Sequence, residues 1–535
     1  VEFYREPFSE DEVRVLTPFF SNLDRPVFAL MNLPEVVKGA LFARYSRSAK
    51  SLRRLFLDEF LNDADTGIET IARRIGGDDP LYSLRRAEKL YDRVFFEFGD
   101  DSVAQLGGAH IACEQASNVL TKVLERGRLA AYLEQSTRYI YYDSKLGDRY
   151  RYTTPPEVEG AGLGESYRNG MDALFDTYSH VVRTMTDVYA ERFPRRDDPE
   201  RVWKATIRAK ACDTARGLLP ASTLSNVGIY ASGQAYEMAL IRMQAHPLEE
   251  VREYGEMMLT ELRAVIPSFL KRVDIEDRGV AWSRYLAGTE AALREIAADL
   301  GESSGAQPFV TLTDWDPDAE VKLVAAALYA VSDLADSTLL GVARRMAPDQ
   351  RAKVLAALVG ERSNRRHRPG RAAERPVYRF DVLCDYGAFR DLQRHRMLTI
   401  EWQDLTTDHG YTVPPDLVDA GLDGEWDRAM GEASRLHETI RRQVGTAAAQ
   451  YAVPLGFNIR FVMEMNAREA FHLLELRSQP AGHAGYRAVV QEMHRQIRDV
   501  AEHGLIADAM RYVDYSQTDL ERLEAERRAE YRRGS

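Results

Sequence analysis

Two arginines flanking a glycine, Arg126-Gly127-Arg128, are followed within ten residues by Glu134 and Arg138 in the stretch RGRLAAYLEQSTRY. Arginine suits phosphate, because its planar fork donates two parallel hydrogen bonds and keeps its charge near neutral pH. On a helix, Glu134 and Arg138 would face each other at i,i+4, which makes a surface ion pair worth about 0.5 kcal/mol an equally good explanation. Arg242 and His246 repeat that spacing at the end of an apolar segment, where a cation also complements a helix C-terminus. Taken singly, each has an ordinary structural role.

The whole chain narrows the choice. It has 535 residues, 45% of them hydrophobic, enough for two or three domains with full cores. The net charge of -12 disfavours a nucleic-acid-coating surface, whereas arginines gathered inside an acidic protein suit a small anionic ligand. Cys113, Cys212 and Cys384 form no CxxC and no Cys/His ligand spacing, so the expectation is a reducing compartment without disulfides, a zinc site or a cysteine nucleophile. With no apolar run of about 18 residues and no basic-then-apolar leader, the chain reads as cytoplasmic and without a membrane span.

The chain also repeats itself. TPPEVEGAG (Thr154 to Gly162) is echoed by VPPDLVDAG (Val413 to Gly421), and the run Leu219 to His246 by Val453 to His483. Arg126-Gly127-Arg128 corresponds to Arg394-His395-Arg396, each shortly before its Pro-Pro element. Three matched elements in one order indicate a tandem duplication. The linker composition of Gly301 to Gln307, GESSGAQ, places the boundary near residue 305, giving repeats at 1–305 and 306–535.

Helical periodicity predicts helices over Glu35 to Leu61, Gln105 to Leu124, Tyr167 to Arg192, Ala231 to Met243 and Met465 to Leu476, with another opening at Asp316-Pro317. Strand candidates are Tyr139 to Tyr142, Phe309 to Leu312 and Tyr378 to Leu383. Asp519 to Arg533 reads as a solvated charged helix. The expected class is α+β with helix in excess, a small sheet packed against long helices in each repeat.

Set side by side, the two arginine stretches resemble the signature of the flavin-dependent thymidylate synthases, the ThyX family, RHRxxSxNExSxRY. The first repeat keeps Arg126, Arg128, Glu134, Ser136, Arg138 and Tyr139 but has Gly127 for His, Ala131 for Ser and Leu133 for Asn. The second, RHRMLTIEWQDLTT, keeps Arg394, His395 and Arg396 and loses most of the rest. Downstream the likeness continues through Arg216, Leu219-Pro220, Arg242, His246 and Glu250 in the first repeat, and through Pro454-Leu455, Asn466-Ala467-Arg468, His472, Arg477 and His483 in the second. The family's upstream Glu-His pair corresponds to Glu374-Arg375 and to Gln105-Leu106.

The resemblance implies a division of labour. The first repeat is similar to a nucleotide-holding copy, with Arg126, Arg128, Glu134, Ser136, Arg138, Tyr139, Arg216 and Arg242 on the substrate and Arg242 as the catalytic group. The second repeat is similar to a flavin-holding copy, with Arg394, His395, Arg396, Glu374, Asn466, Arg468 and His472 on FAD. The resemblance further implies C5 methylation of dUMP or UMP, with methylenetetrahydrofolate and NADPH as cosubstrates and no metal. Because family members are tetramers with sites between subunits, two tandem chains are expected to form a pseudo-tetramer. An FAD-binding oxidoreductase and a nucleotide-binding regulator that lack methyl transfer stay open as alternatives.

Overall fold

A computed structural model of the chain describes residues 2–33, 35–61, 107–302, 305, 307–517, 520 and 522–534. Two antiparallel four-stranded sheets organise it. The first contains β1 (Val27–Leu30), β2 (Gly108–Ser117), β3 (Ala130–Glu134) and β4 (Leu224–Ser232), in the order β1-β2-β4-β3. The second contains β5 (Val310–Trp315), β6 (Val377–Asp385), β7 (Thr399–Trp402) and β8 (Asn458–Asn466), in the order β5-β6-β8-β7. The same spatial order in both shows that the duplication extends to topology.

The strands follow their side-chain alternation. Tyr378, Phe380, Val382 and Cys384 on β6 are buried, and they pair directly with buried Met465, Met463, Phe461 and Ile459 on β8. Opposed residues of an antiparallel pair share a face, so this register puts the fully buried apolar side chains of both strands on one side.

Each sheet hands its chain to a helix through a polar cap. Ser117 caps α1 (Asn118–Leu124) and Ser232 caps α2 (Gly233–Gln244); Asp385 caps α4 (Tyr386–Leu392) and Asn466 caps α5 (Ala467–Arg477). In all four the side-chain oxygen accepts from the backbone N–H three residues on, satisfying a donor that a helix start leaves unpaired. The cap after β2, with the strand before it, corrects the helix expected over Gln105 to Leu124. Within the described part of that span, residues 108–117 are strand and helix begins only at Asn118. Periodicity misled because most of β2 is buried on both faces, leaving no alternation to detect.

Residues 139–142 form no strand: the chain after β3 turns at 137–139 and then runs irregularly. The helix expected over Glu35 to Leu61 is interrupted between Tyr45 and Leu52. The helix after Asp316-Pro317 runs Ala319–Tyr329, and the charged C-terminal segment is helical over Leu523–Gly534.

Contacts gather the chain into two compact units. One comprises Val1–Val181, Leu218–Ser303 and Gly424–Pro454, the other Val182–Gly217, Ser304–Asp423 and Leu455–Ser535. Each unit therefore draws segments from both halves of the sequence. In the first, Leu16, Phe19, Phe20, Phe28, Tyr45, Leu52 and Phe56 form a core cluster, with Phe20 edge-on to Phe28 at 5.6 Å. Burying one such ring stabilises by roughly 1.5–3 kcal/mol.

Candidate active site

In the second unit, two elements converge. The turn after α4 carries Arg394-His395-Arg396, and α5 projects Glu469, His472 and Arg477 at spacings of three and eight residues from Glu469. His395 is buried between them. Its Nδ1 lies 2.9 Å from Oε1 of Glu469, and its Nε2 accepts a hydrogen bond from Nε of Arg477 at 3.0 Å.

That geometry assigns the tautomer. A guanidinium can only donate, so Nε2 holds a lone pair and the ring proton sits on Nδ1, donated to Glu469. Burial lowers the His395 pKa to about 4, the Glu469 hydrogen bond opposing and Arg477 reinforcing the shift. Burial by itself would raise the Glu469 carboxyl, but hydrogen bonds from His395 and His472 outweigh it and hold the group at about 2. Near neutral pH the pair is a neutral imidazole on a carboxylate.

His395, Glu469 and His472 also bring ligand atoms within 4.8 Å of one another, as a metal centre would. Both ring nitrogens of His395 are already committed, and the Arg477 guanidinium beside it repels a cation. The chemistry of this set favours a hydrogen-bonded chain.

Beside it, Asp391 sits among three guanidiniums, those of Arg477 at 3.7 Å, Arg216 at 3.8 Å and Arg394 at 3.9 Å. Arg216 is buried, and its Nη2 has no hydrogen-bond partner among the described residues. It lies so close to α4 that a Cβ on Gly387 would come within 3.2 Å of Nη2. Arg216 lies in the second unit, because residues 182–217 pack there.

Glu374 and Arg468 come together at 3.8 Å, with Arg468 also donating to the carbonyl of Pro369. The Asn466 side-chain oxygen caps α5 by accepting from the Glu469 backbone N–H at 2.9 Å. Gln105 and Leu106 lie outside the described residues. Arg396 is exposed.

The first unit holds the other copy. Glu134 ends β3, so it and Arg138 are not helical neighbours. Glu134 is buried 4.0 Å from Lys122, which also pairs with Glu125 at 3.3 Å. Beyond it the chain turns against residues 46–48: the Ser136 amide donates to the Ser46 carbonyl, Gln135 donates to that of Ser48, and Arg47 lies over the Tyr139 ring. Arg138 is buried in this turn, its amide donating to the Ser136 hydroxyl. Arg242, in the last turn of α2, is half-buried; burial and the nearby Arg126 charge lower its pKa.

Sequence reasoning missed Tyr132 as well as Glu469. The Tyr132 hydroxyl donates to the carbonyl of Gly127 at 3.1 Å, and a Cβ on Gly127 would meet that oxygen at 2.5 Å. Where the second repeat carries His395, the first carries a tyrosine hydroxyl that would have to move before a side chain could fit. Leu133, in the place of the signature asparagine, packs against the core cluster around Phe42.

A cavity of about 1090 Å³ in the first unit is lined by residues including Tyr4, Gln115, Arg149, Tyr150, Tyr152 and Arg168, and by none of the candidates above. Its Arg149 and Arg168 are paired with Glu2 and Glu159. Among the described residues no helix is long and apolar enough to cross a membrane.

The family described as thymidylate synthase complementing protein matches residues 53–268 and 311–503. A UPF0159 protein of Chlamydia muridarum is 39% identical over 97% of this chain and 98% of its own length. One from Thermoplasma acidophilum is 29% identical over 93% and 99%. A flavin-dependent thymidylate synthase of Clostridium tetani is 25% identical over 33% of this chain and 67% of its own.

Proposed function

The chain belongs to the thymidylate synthase complementing protein family, and on that footing we propose that it methylates C5 of a uracil nucleotide, dUMP or UMP, in a flavin-dependent reaction. The supporting observation is the Glu469, His395 and Arg477 chain beside the cluster of Arg216, Arg394 and Asp391. Those residues fit FAD. Three guanidiniums gather on the single carboxylate of Asp391, a surplus of positive charge suited to a diphosphate, and a buried Nη2 on Arg216 offers a donor in need of an acceptor. When bound and reduced, FAD supplies the hydride, with methylenetetrahydrofolate as carbon donor and NADPH as reductant.

The protein's own residues bind and orient. His395, neutral and with its proton committed to Glu469, holds Arg477 in place and is no proton donor near neutral pH. Arg242 is the group for the uracil carbonyl on which negative charge develops, and a preorganised donor there contributes about 3 kcal/mol to the barrier. Arg126, Arg128, Ser136, Arg138 and Tyr139 are the candidates for the nucleotide. The filled position at Gly127 supports one flavin site per chain, hence two in the homodimer expected of the tandem repeats.

The test is tritium release from C5-labelled dUMP and UMP, with and without methylenetetrahydrofolate, on protein showing a flavin absorbance band. Folate-dependent release establishes methyl transfer and ranks the two nucleotides. A yellow protein without release moves the reading to an FAD oxidoreductase. Failure to bind flavin moves it to a nucleotide-binding regulator.

A further inference from the structure

The helix Ala281–Ala298, here α3, lies between the two segments matched by the family and belongs to neither. Its start is pinned where the Ser283 hydroxyl meets the Ile241 carbonyl at 3.0 Å and the Gln244 side chain at 3.1 Å. From there Trp282, Leu286, Thr289, Leu293 and Ile296 follow at spacings of four, three, four and three, and Leu300 lies just past the helix end. That is the 3.5-residue period of a coiled-coil seam. Yet Leu293 is 66% exposed, Ile296 63% and Leu300 68%, with Trp282 and Tyr285 exposed beside them.

We propose that this seam is the surface on which a second copy of the chain docks, α3 against α3 about a two-fold axis. A heptad stripe is complementary to itself, which is what an isologous interface requires. The charges agree: Arg284 and Arg294 balance Glu290 and Glu295, and Arg294 pairs with Glu290 at 2.9 Å on its own helix. A helix without a basic excess has no electrostatic draw to an anionic membrane. Five large side chains exposed to this degree offer on the order of 600 Å² per copy, and a pair on the order of 1,200 Å², the lower edge of stable interfaces. The docking surface needs no flavin chemistry, so its failure and that of the catalytic reading are separate.

Cysteine cross-linking of the full chain tests it, since Cys113, Cys212 and Cys384 are all buried. Under mild oxidation Leu293→Cys forms a disulfide-linked dimer, while Ala291→Cys, on the opposite face of α3, forms at least tenfold less. In sedimentation, Leu293→Glu with Ile296→Glu weakens self-association at least a hundredfold while the far-ultraviolet circular dichroism of the folded chain is unchanged. Equal cross-linking at both positions overturns the proposal, as does unaltered self-association of the double variant. Binding of the wild-type chain to phosphatidylglycerol vesicles in place of self-association also overturns it. If the double variant does not fold, the cysteine pair decides alone.

Discussion

Arg477 donates to His395 from the side opposite Glu469, so the imidazole is held at both nitrogens and fixed in one tautomer. The arrangement is pH-sensitive. The folded His395 pKa, about 4, lies below its ordinary 6.5, so between those values the unfolded chain binds the extra proton. Stability contributed by neutral His395 is present above about pH 6.5 and is lost as pH falls towards 4, by on the order of 3 kcal/mol. Urea midpoints from pH 4 to 7 should show this fall, and His395→Gln should flatten it.

Gly127→Ala should destabilise the protein by about 1–2 kcal/mol, because the new methyl displaces the Tyr132 hydroxyl and breaks its hydrogen bond. Tyr132→Phe in the same chain should recover most of the loss in chemical denaturation. Equal destabilisation with and without the second change would place the strain elsewhere.

Arg138→Ala should weaken uracil nucleotide binding about tenfold or more while flavin content stays near normal, since one charged hydrogen bond contributes roughly 1.5–3 kcal/mol. Arg394→Ala should do the reverse. Calorimetry with dUMP and UMP beside the flavin absorbance ratio checks both, and equal loss of both ligands in both variants would refute the division of labour.

Arg362 and Glu475 form a fully buried ion pair in the second unit, with Arg362 Nη1 donating at 2.7 Å. Arg362→Ala should cost about 3–5 kcal/mol by stranding the carboxylate, whereas Arg362→Met with Glu475→Leu should be far milder. A thermodynamic cycle on unfolding measures the difference.

The candidate site was legible only where local pattern carries meaning. The Arg-x-Arg stretches, their order and their complementary losses could be read directly, as could the alternating strands β6 and β8. The helix mistakenly expected over β2 shows the limit, because a strand buried on both faces has no periodicity to betray it. Glu469 was missed for another reason: its partner His395 is 74 residues away, and nothing in the linear order of α5 marks it for contact.

The residues themselves determined the duplication, the α+β class and the family, because repeats, caps and arginine spacing are properties of neighbours along the chain. Tertiary structure alone decided that Arg216 belongs beside Asp391, that Glu469 fixes the His395 tautomer, and that the Tyr132 hydroxyl sits over Gly127. Each depends on which distant segments pack together, and a segment exchange such as that of residues 182–217 leaves no mark in the local sequence.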